Sequence, residues 1–236
     1  MSATLERVTP HLDGQARAAL STLVDEVTAN PGAISTLFPA VGRRVARGPS
    51  DADDPDGLRT PRLEDEARTA LLVAAAEAWH TEPHRLVDEV SQLYRYGDTD
   101  EKRAVLRALP ELEAVPGITD AGLSAVADAL RTNDLRLIAA AMGRYAAAHL
   151  DDPSWRQGVL KCLFVGVPLD AVADLDRRSD AELARMVADY GNERVAAGRS
   201  VPSDAWRILN HDPDAVAGRL PAPAAASTAP AQSEED

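Results

Sequence analysis

Leu20-Ser21-Thr22-Leu23-Val24-Asp25-Glu26-Val27 places its apolar side chains at i, i+3, i+4 and i+7 with polar residues between them. That spacing lays a single apolar stripe along one face of a helix. The same period returns down the chain. Leu86, Val90, Leu93 and Tyr94 fall at i, i+4, i+7 and i+8, while Leu123, Val126, Ala127 and Leu130, and again Leu183, Met186, Val187 and Tyr190, repeat the first spacing. No comparable run of strict apolar–polar alternation occurs, so no sheet is expected. Composition points the same way. The 236 residues are 45% hydrophobic but only 4% aromatic, so the core has to be built from Ala, Leu and Val. Ala and Leu have the lowest helix cost, and a sheet protein of this size is normally richer in Ile, Thr, Tyr and Phe.

Boundary residues divide the chain into helices. Thr9-Pro10, Asn30-Pro31 and Asp152-Pro153 each read as a capping residue followed by proline at the first helical position. Ser179 with Glu182, and Asp98 with Glu101, have capping-box spacing. Gly97, Gly166 and Gly198 stand where helices should stop in the left-handed conformation. Helices are therefore expected near 10–29, 31–46, 64–79, 83–96, 99–109, 119–131, 134–149, 153–165, 180–197 and 203–210. From residue 64 on they form antiparallel pairs, so the fold class is all-α, either an irregular HEAT-like α-solenoid or a compact helical bundle. The expected divisions are N-terminal helices with an acidic loop over 1–63, a helical domain over 64–215, and a disordered Pro/Ala/acidic tail over 216–236.

Acids outnumber bases 38 to 25, a net charge of −13. Seven of those acids sit in two short stretches, the loop with Asp51, Asp53, Asp54 and Asp56 and the end with Glu234, Glu235 and Asp236. Nucleic-acid binding needs clustered Lys and Arg, and the same acidity opposes an anionic membrane surface. Cys162 is the lone cysteine, so no intramolecular disulfide forms. The first ten residues lack an apolar run, and no stretch reaches the roughly 18 apolar residues of a membrane span. A cytoplasmic protein without direct membrane insertion is expected.

No residue set matches a known catalytic signature, and no cofactor is expected. His80, His84 and Asp88 are spaced to share one helix face and hold a metal, but Pro83 interrupts them, and exposed turn residues are the plainer reading. Trp155, Val159, Cys162, Leu163 and Phe164 make the 153–165 helix apolar nearly all round, which marks it as central. Gln157 and Lys161 share a face of it. Lys161 either reaches solvent or a nearby carboxylate, or acts as an anion clamp or nucleophile. Cys162 reads as core packing. Asp189, Tyr190 and Arg194 form a second polar cluster, with Arg185 and Asp189 at ion-pair spacing. Asn133, Gln157, Lys161, Asp189, Tyr190 and Arg194 are thus the candidate ligand-binding residues. None is assigned a catalytic or metal-binding role.

Several segments resemble the EboA family of bacterial metabolite-traffic proteins. They are Tyr94-Arg95-Tyr96-Gly97-Asp98, continuing through Glu101 to Ala104-Val105-Leu106-Arg107-Ala108-Leu109; Arg131-Thr132-Asn133; Trp155 through Leu169; and Glu182 through Tyr190, followed by Glu193-Arg194, Ala196 through Arg199, and Trp206. Gly158 stands where the family has methionine, and Arg144-Tyr145-Ala146-Ala147 where it often has an Asn-Pro-Tyr-like run. The resemblance implies a gene cluster that also encodes a prenyltransferase-like membrane protein, a TatD-like hydrolase and sugar-isomerase-like proteins, and that makes or moves a small secondary metabolite. It supplies no catalytic residues. Two functions follow: a helical adaptor binding those proteins or a small metabolite, or an isomerase- or lyase-type enzyme with a polar pocket between helices.

Overall fold

The computed structural model describes residues 3–216 and residue 218. The fold is all-α, and no strand occurs among the described residues. In chain order the helices are α1 (Ala3–Val8), α2 (Gly14–Ala29), α3 (Ile34–Arg44), α4 (Leu63–Ala78), α5 (Pro83–Tyr96), α6 (Thr99–Ala108), α7 (Ile118–Arg131), α8 (Leu135–Ala141), α9 (Arg144–His149), α10 (Asp152–Val165), α11 (Leu175–Arg178), α12 (Ala181–Ala196), α13 (Ala205–Leu209) and α14 (Pro213–Val216). Short 3₁₀ turns occupy Pro31–Ala33, Leu109–Glu111 and Leu169–Ala171. The tail expected to be disordered, 216–236, lies outside the described residues apart from Val216 and Gly218.

Aspartates set several helix starts by accepting orphan backbone N–H groups. Asp13 accepts from Ala16 N at 2.8 Å, Asp151 from Ser154 N at 2.8 Å and Asp180 from Leu183 N at 2.9 Å. Asp98 and Glu101 complete a reciprocal capping box, at 2.9 and 3.2 Å. Three expected starts therefore shift. Thr9-Pro10 opens no helix, because Thr9 Oγ1 donates back to Leu5 O at 2.8 Å and closes α1 instead. Asp151 replaces Asp152 as a cap, and Asp180 replaces Ser179. The helix expected over 134–149 is two helices. It breaks at Met142-Gly143, where Ala173 N donates to Met142 O at 3.0 Å and satisfies the carbonyl that the break frees.

Gly166 (φ +89°) and Gly198 (φ +69°) stop their helices in the left-handed region, as expected. Gly97 does not. Its φ of −68° and ψ of 157° are extended, and glycine is needed there for space, because a Cβ would lie 2.5 Å from Leu93 O.

The chain forms two compact units, residues up to Leu175 and residues from Asp176 on. In the first, α1, α2, α3, α5 and α6 all pack on α4, α6 packs on α8, α8 on α10, and α5 and α7 pack together. The boundary expected at 63/64 therefore falls within this unit. Every residue of α4 from Glu64 to Ala75 is buried. The helix expected to be central, α10, is one-sided: Trp155, Val159, Cys162 and Leu163 are buried while Phe164 is 70% exposed. The stripe on α7 is also rotated from its expected phase. Ile118, Gly122, Ala125, Val126 and Ala129 face inward, leaving Leu123 and Leu130 half-buried. Small residues allow that close approach; a Cβ on Gly122 would be 2.4 Å from Tyr145 Oη. In the second unit α12 packs against α13 and α14.

Candidate functional site

A helix buried on every side ought not to begin with four acids and bases, yet Glu64, Asp65, Glu66 and Arg68 of α4 are all buried. Charges survive burial only when paired and hydrogen-bonded, and Arg103 on α6 supplies most of the pairing. Its Nε and Nη2 bond Asp65 Oδ2 and Oδ1 at 2.8 and 3.0 Å, Nη2 also reaches Glu64 Oε1 at 3.2 Å, and Nη1 bonds Asp100 at 2.7 Å. Glu64 further accepts from Gly48 N at 2.8 Å and Arg62 Nε at 2.8 Å. Burial alone would lower the Arg103 pKa; Asp65, Asp100 and Glu64 outweigh it and hold it above the usual arginine value. Glu66 faces His11 instead, accepting from its backbone N at 3.1 Å and meeting its Nδ1. Burial prevails there and raises the Glu66 carboxyl above the usual range.

The acidic loop before α4 is folded around one of its own acids. Asp54 is buried and accepts Leu58 N at 3.0 Å, Arg59 N and Thr60 N at 2.8 Å each, and Thr60 Oγ1 at 3.0 Å. The loop then offers the carbonyls of Gly57 and Leu58 to Arg107 Nη2, at 3.0 and 2.7 Å.

Arg107, one turn after Arg103 on α6, lines a cavity of about 310 Å³ together with Arg59 of the loop, Arg144 at the start of α9, and Tyr145. A neighbouring cavity of about 330 Å³ shares Pro61, Arg107 and Arg144 and adds Arg7, His11, Glu66 and Glu111. Glu111 is bonded to Arg7 and, at 2.8 Å, to Arg144. Neither Arg59 nor Arg107 forms an ion pair among the described residues, and the buried Nε of Arg107 has no hydrogen-bond partner there. Burial pulls the Arg107 guanidinium below the usual arginine value, with Asp65 working in the other direction. A third cavity, of about 630 Å³, lies along α5, α6 and α7, where Tyr94 Oη donates to Asp128 Oδ2 at 3.1 Å.

The residues singled out from sequence lie elsewhere. Asn133 and Lys161 are brought together, with Lys161 Nζ donating to Asn133 Oδ1 at 2.8 Å. Asn133 and Gln157 are exposed and Lys161 is half-buried. Lys161 thus has an amide acceptor rather than a carboxylate. Asp189, Tyr190 and Arg194 belong to the second unit, on α12. There Arg185 Nη1 donates to Asp189 at 2.7 Å, and Arg194 donates to Tyr190 Oη at 3.3 Å and to Ser200 O at 2.7 Å. None of the six lines the arginine cavity. Replacing Lys161 with methionine should change the unfolding free energy by about 1 kcal/mol or less, since only a solvent-accessible hydrogen bond is lost. Urea denaturation checks this. A loss of about 3 kcal/mol would instead indicate a buried ion pair.

Cys162 is buried, and burial pushes its thiol up to about 12, which withholds the nucleophilic thiolate at neutral pH. The turn between α4 and α5 separates His80 from His84, and His80 Nδ1 lies 3.0 Å from Glu77 O. Among the described residues no group of three or more His, Cys, Asp or Glu is placed to hold a metal, and no helix is long and apolar enough to cross a membrane. The arginine cavity was missed from sequence because its cations come from three separate elements. The available signal was Arg103 and Arg107, one turn apart, flanking the apolar run Ala104-Val105-Leu106.

Neither a curated protein nor a solved structure matches the chain. A family model does: the one described as metabolite traffic protein EboA matches residues 59–210, a span that includes Arg59, Arg107, Arg144, Asn133 and Lys161. Because that span is more than half of the 236 residues, the chain belongs to the EboA family.

Proposed function

We propose that this chain is a non-catalytic accessory protein of metabolite traffic, a helical adaptor that holds a small metabolite and hands it between proteins of its own gene cluster in the cytoplasm. The partners in this reading are the prenyltransferase-like, TatD-like and sugar-isomerase-like proteins that accompany the family. The observation carrying it is the cavity lined by Arg59, Arg107 and Arg144 inside the family-matched span. A guanidinium stays protonated at any physiological pH, so it binds and orients charge but does not shuttle protons. A cavity whose cations are all arginines therefore favours holding a ligand over isomerase or lyase chemistry. Asn133 and Lys161, on the same unit but outside that cavity, are proposed as part of a partner-facing surface, and Gln157 with them. Asp189, Tyr190 and Arg194 are proposed as a separate polar contact surface.

Affinity capture of the tagged full-length protein from its native host, with mass spectrometry of proteins and small molecules, tests this reading. Enrichment of cluster-encoded proteins or of one metabolite over an unrelated acidic helical protein is the expected result. Enrichment of neither, or turnover of a captured metabolite by the purified chain, would count against the adaptor.

A further inference from the structure

Three guanidinium groups around one cavity are unusual in a chain whose net charge is −13. Among the described residues the only carboxylate on the same walls is the exposed Asp170, so this lining carries an excess of positive charge. The three cations are not equivalent. Arg144 is partly neutralised by Glu111, which it shares with Arg7. Arg59 and Arg107 have backbone carbonyls as acceptors, Asp53 O for Arg59 and Gly57 O and Leu58 O for Arg107. A carbonyl orients a guanidinium without cancelling its charge. The nearest loop acid, Asp54, is already occupied by three backbone N–H groups and the Thr60 hydroxyl.

Keeping a guanidinium out of bulk water without a carboxylate partner is costly. Here the protein does so at a position pinned from two sides, by α6 and by the loop carbonyls, next to open volume. An anion entering that volume removes the cost, and in surroundings of low dielectric its attraction to the fixed cation is strengthened. The identity of the anion follows from charge and shape. Arginine forks match carboxylate and phosphate alike. A carboxylate carries one charge, whereas a phosphate monoester carries about −1.5 to −2 at neutral pH and offers three acceptor oxygens to three donors. The excess of positive charge on the lining fits the phosphate.

We propose that the cavity between the acidic loop, α6 and α9 binds the phosphate group of a small metabolite, with Arg107 as the fixed cation and Arg59 and Arg144 closing over it from the rim. The adjoining cavity, which shares Arg107 and Arg144, then receives the rest of the molecule. This rests on the metabolite-holding reading above and specifies the chemistry of what is held.

Isothermal titration of the full chain with inorganic phosphate, pyrophosphate and acetate at constant ionic strength tests it. Expected are saturable binding of phosphate and pyrophosphate, with pyrophosphate tighter, and at least tenfold weaker binding of acetate. Arg59→Gln and Arg144→Gln, both at exposed positions, should each weaken phosphate at least fivefold while leaving the melting temperature unchanged. Arg107→Met should abolish it; should that variant not fold, the two rim variants decide alone. Flotation with phosphatidylcholine vesicles containing phosphatidic acid separates a soluble phosphate from a lipid headgroup. Saturable vesicle binding that is lost in Arg59→Gln and Arg144→Gln would overturn the soluble-metabolite assignment. Equal affinity for acetate and phosphate, absence of saturable binding, or binding unchanged in both rim variants would overturn the site. Phosphate binding with neither a cluster-encoded protein nor a metabolite captured from the host would leave the site standing and remove the adaptor, so the two proposals fail separately.

Discussion

Arg103→Met is expected to destabilise the protein by about 3–5 kcal/mol, the cost of leaving buried carboxylates without their cation. The Arg103 side chain is completely buried, and so is Asp65, its bidentate partner. Methionine fills a similar volume but offers no donor. Asp65 would lose two hydrogen bonds, and Glu64 and Asp100 one each. Glu64 retains Gly48 N and Arg62, and Asp100 retains Arg47 and Arg136, whereas Asp65 keeps only the Arg62 N–H at 3.0 Å and bears most of the damage. Arg103→Lys should fall between the two, because an ammonium keeps the charge and gives up the bidentate fork. Urea unfolding at neutral pH reads all three. A loss below about 1 kcal/mol for the methionine variant would mean that water enters and rescues the carboxylates.

The same cluster contributes to the acid sensitivity of the fold. Burial alone would raise Glu64 and Asp100. For Glu64 the Gly48 N–H and Arg62 outweigh it, and for Asp100 Arg103 does so with Arg136 and Arg47, so both carboxyls lie below their usual range. A carboxyl lowered in the folded state contributes stability that is fully present above its unfolded pKa of about 4 and is lost as pH falls through the lower folded value. Glu66 works in the other direction, since burial raises it and its contribution fades as pH rises. In Arg103→Met the Asp100 carboxyl loses the chief cation holding it down. The part of the acid-induced loss that Asp100 carries should therefore shrink, so the stability gap between parent and variant should narrow as pH falls below the unfolded value of about 4.

Helix content was legible because periodicity and aspartate caps are local signals. Leu20, Leu23 and Val27 are buried as their spacing required, and so are Leu86, Val90, Leu93 and Tyr94. What could not be read locally was which helix lies at the centre. Hydrophobicity pointed to α10, where Phe164 is in fact exposed, and away from α4, whose opening Glu64-Asp65-Glu66 looks like a solvated first turn. That turn is buried because Arg103, 38 residues downstream of Asp65, folds onto Glu64 and Asp65, and His11 folds onto Glu66. The break at Met142-Gly143 has the same origin, since its carbonyl is satisfied by Ala173 from a distant segment. The arginine cavity is likewise a product of tertiary folding. Arg59, Arg107 and Arg144 are unremarkable apart, and Lys161 attracted notice only because its own helix is apolar. Pairings between distant residues decided the rest, and one sequence without its contacts does not contain them.

The loop that carries Arg59 makes the second large effect local. Asp54→Ala should destabilise the protein by about 2–3 kcal/mol, because it removes a charged acceptor from three backbone N–H groups and a hydroxyl at once. The carboxylate is buried and its oxygens are fully used, Oδ1 by Leu58 N and Oδ2 by Arg59 N, Thr60 N and Thr60 Oγ1. Burial alone would raise the Asp54 carboxyl, and these donors prevail and lower it, the sign of a charge the fold stabilises. Leu58 and Thr60 are only half-buried, so water recovers part of the loss and keeps the figure below that of Arg103→Met. Asp54→Asn should recover little, since its amide turns one acceptor into a donor that faces other donors. Asp56→Asn, at an exposed position in the same loop, should stay within about 0.5 kcal/mol of the parent and separates loop architecture from the removal of one negative charge. Loosening the loop also displaces the Gly57 and Leu58 carbonyls that hold Arg107. Asp54→Ala should therefore lose phosphate affinity along with stability, whereas Asp56→Asn loses neither. Equal unfolding midpoints for the two variants would show that Asp54 does not organise the loop.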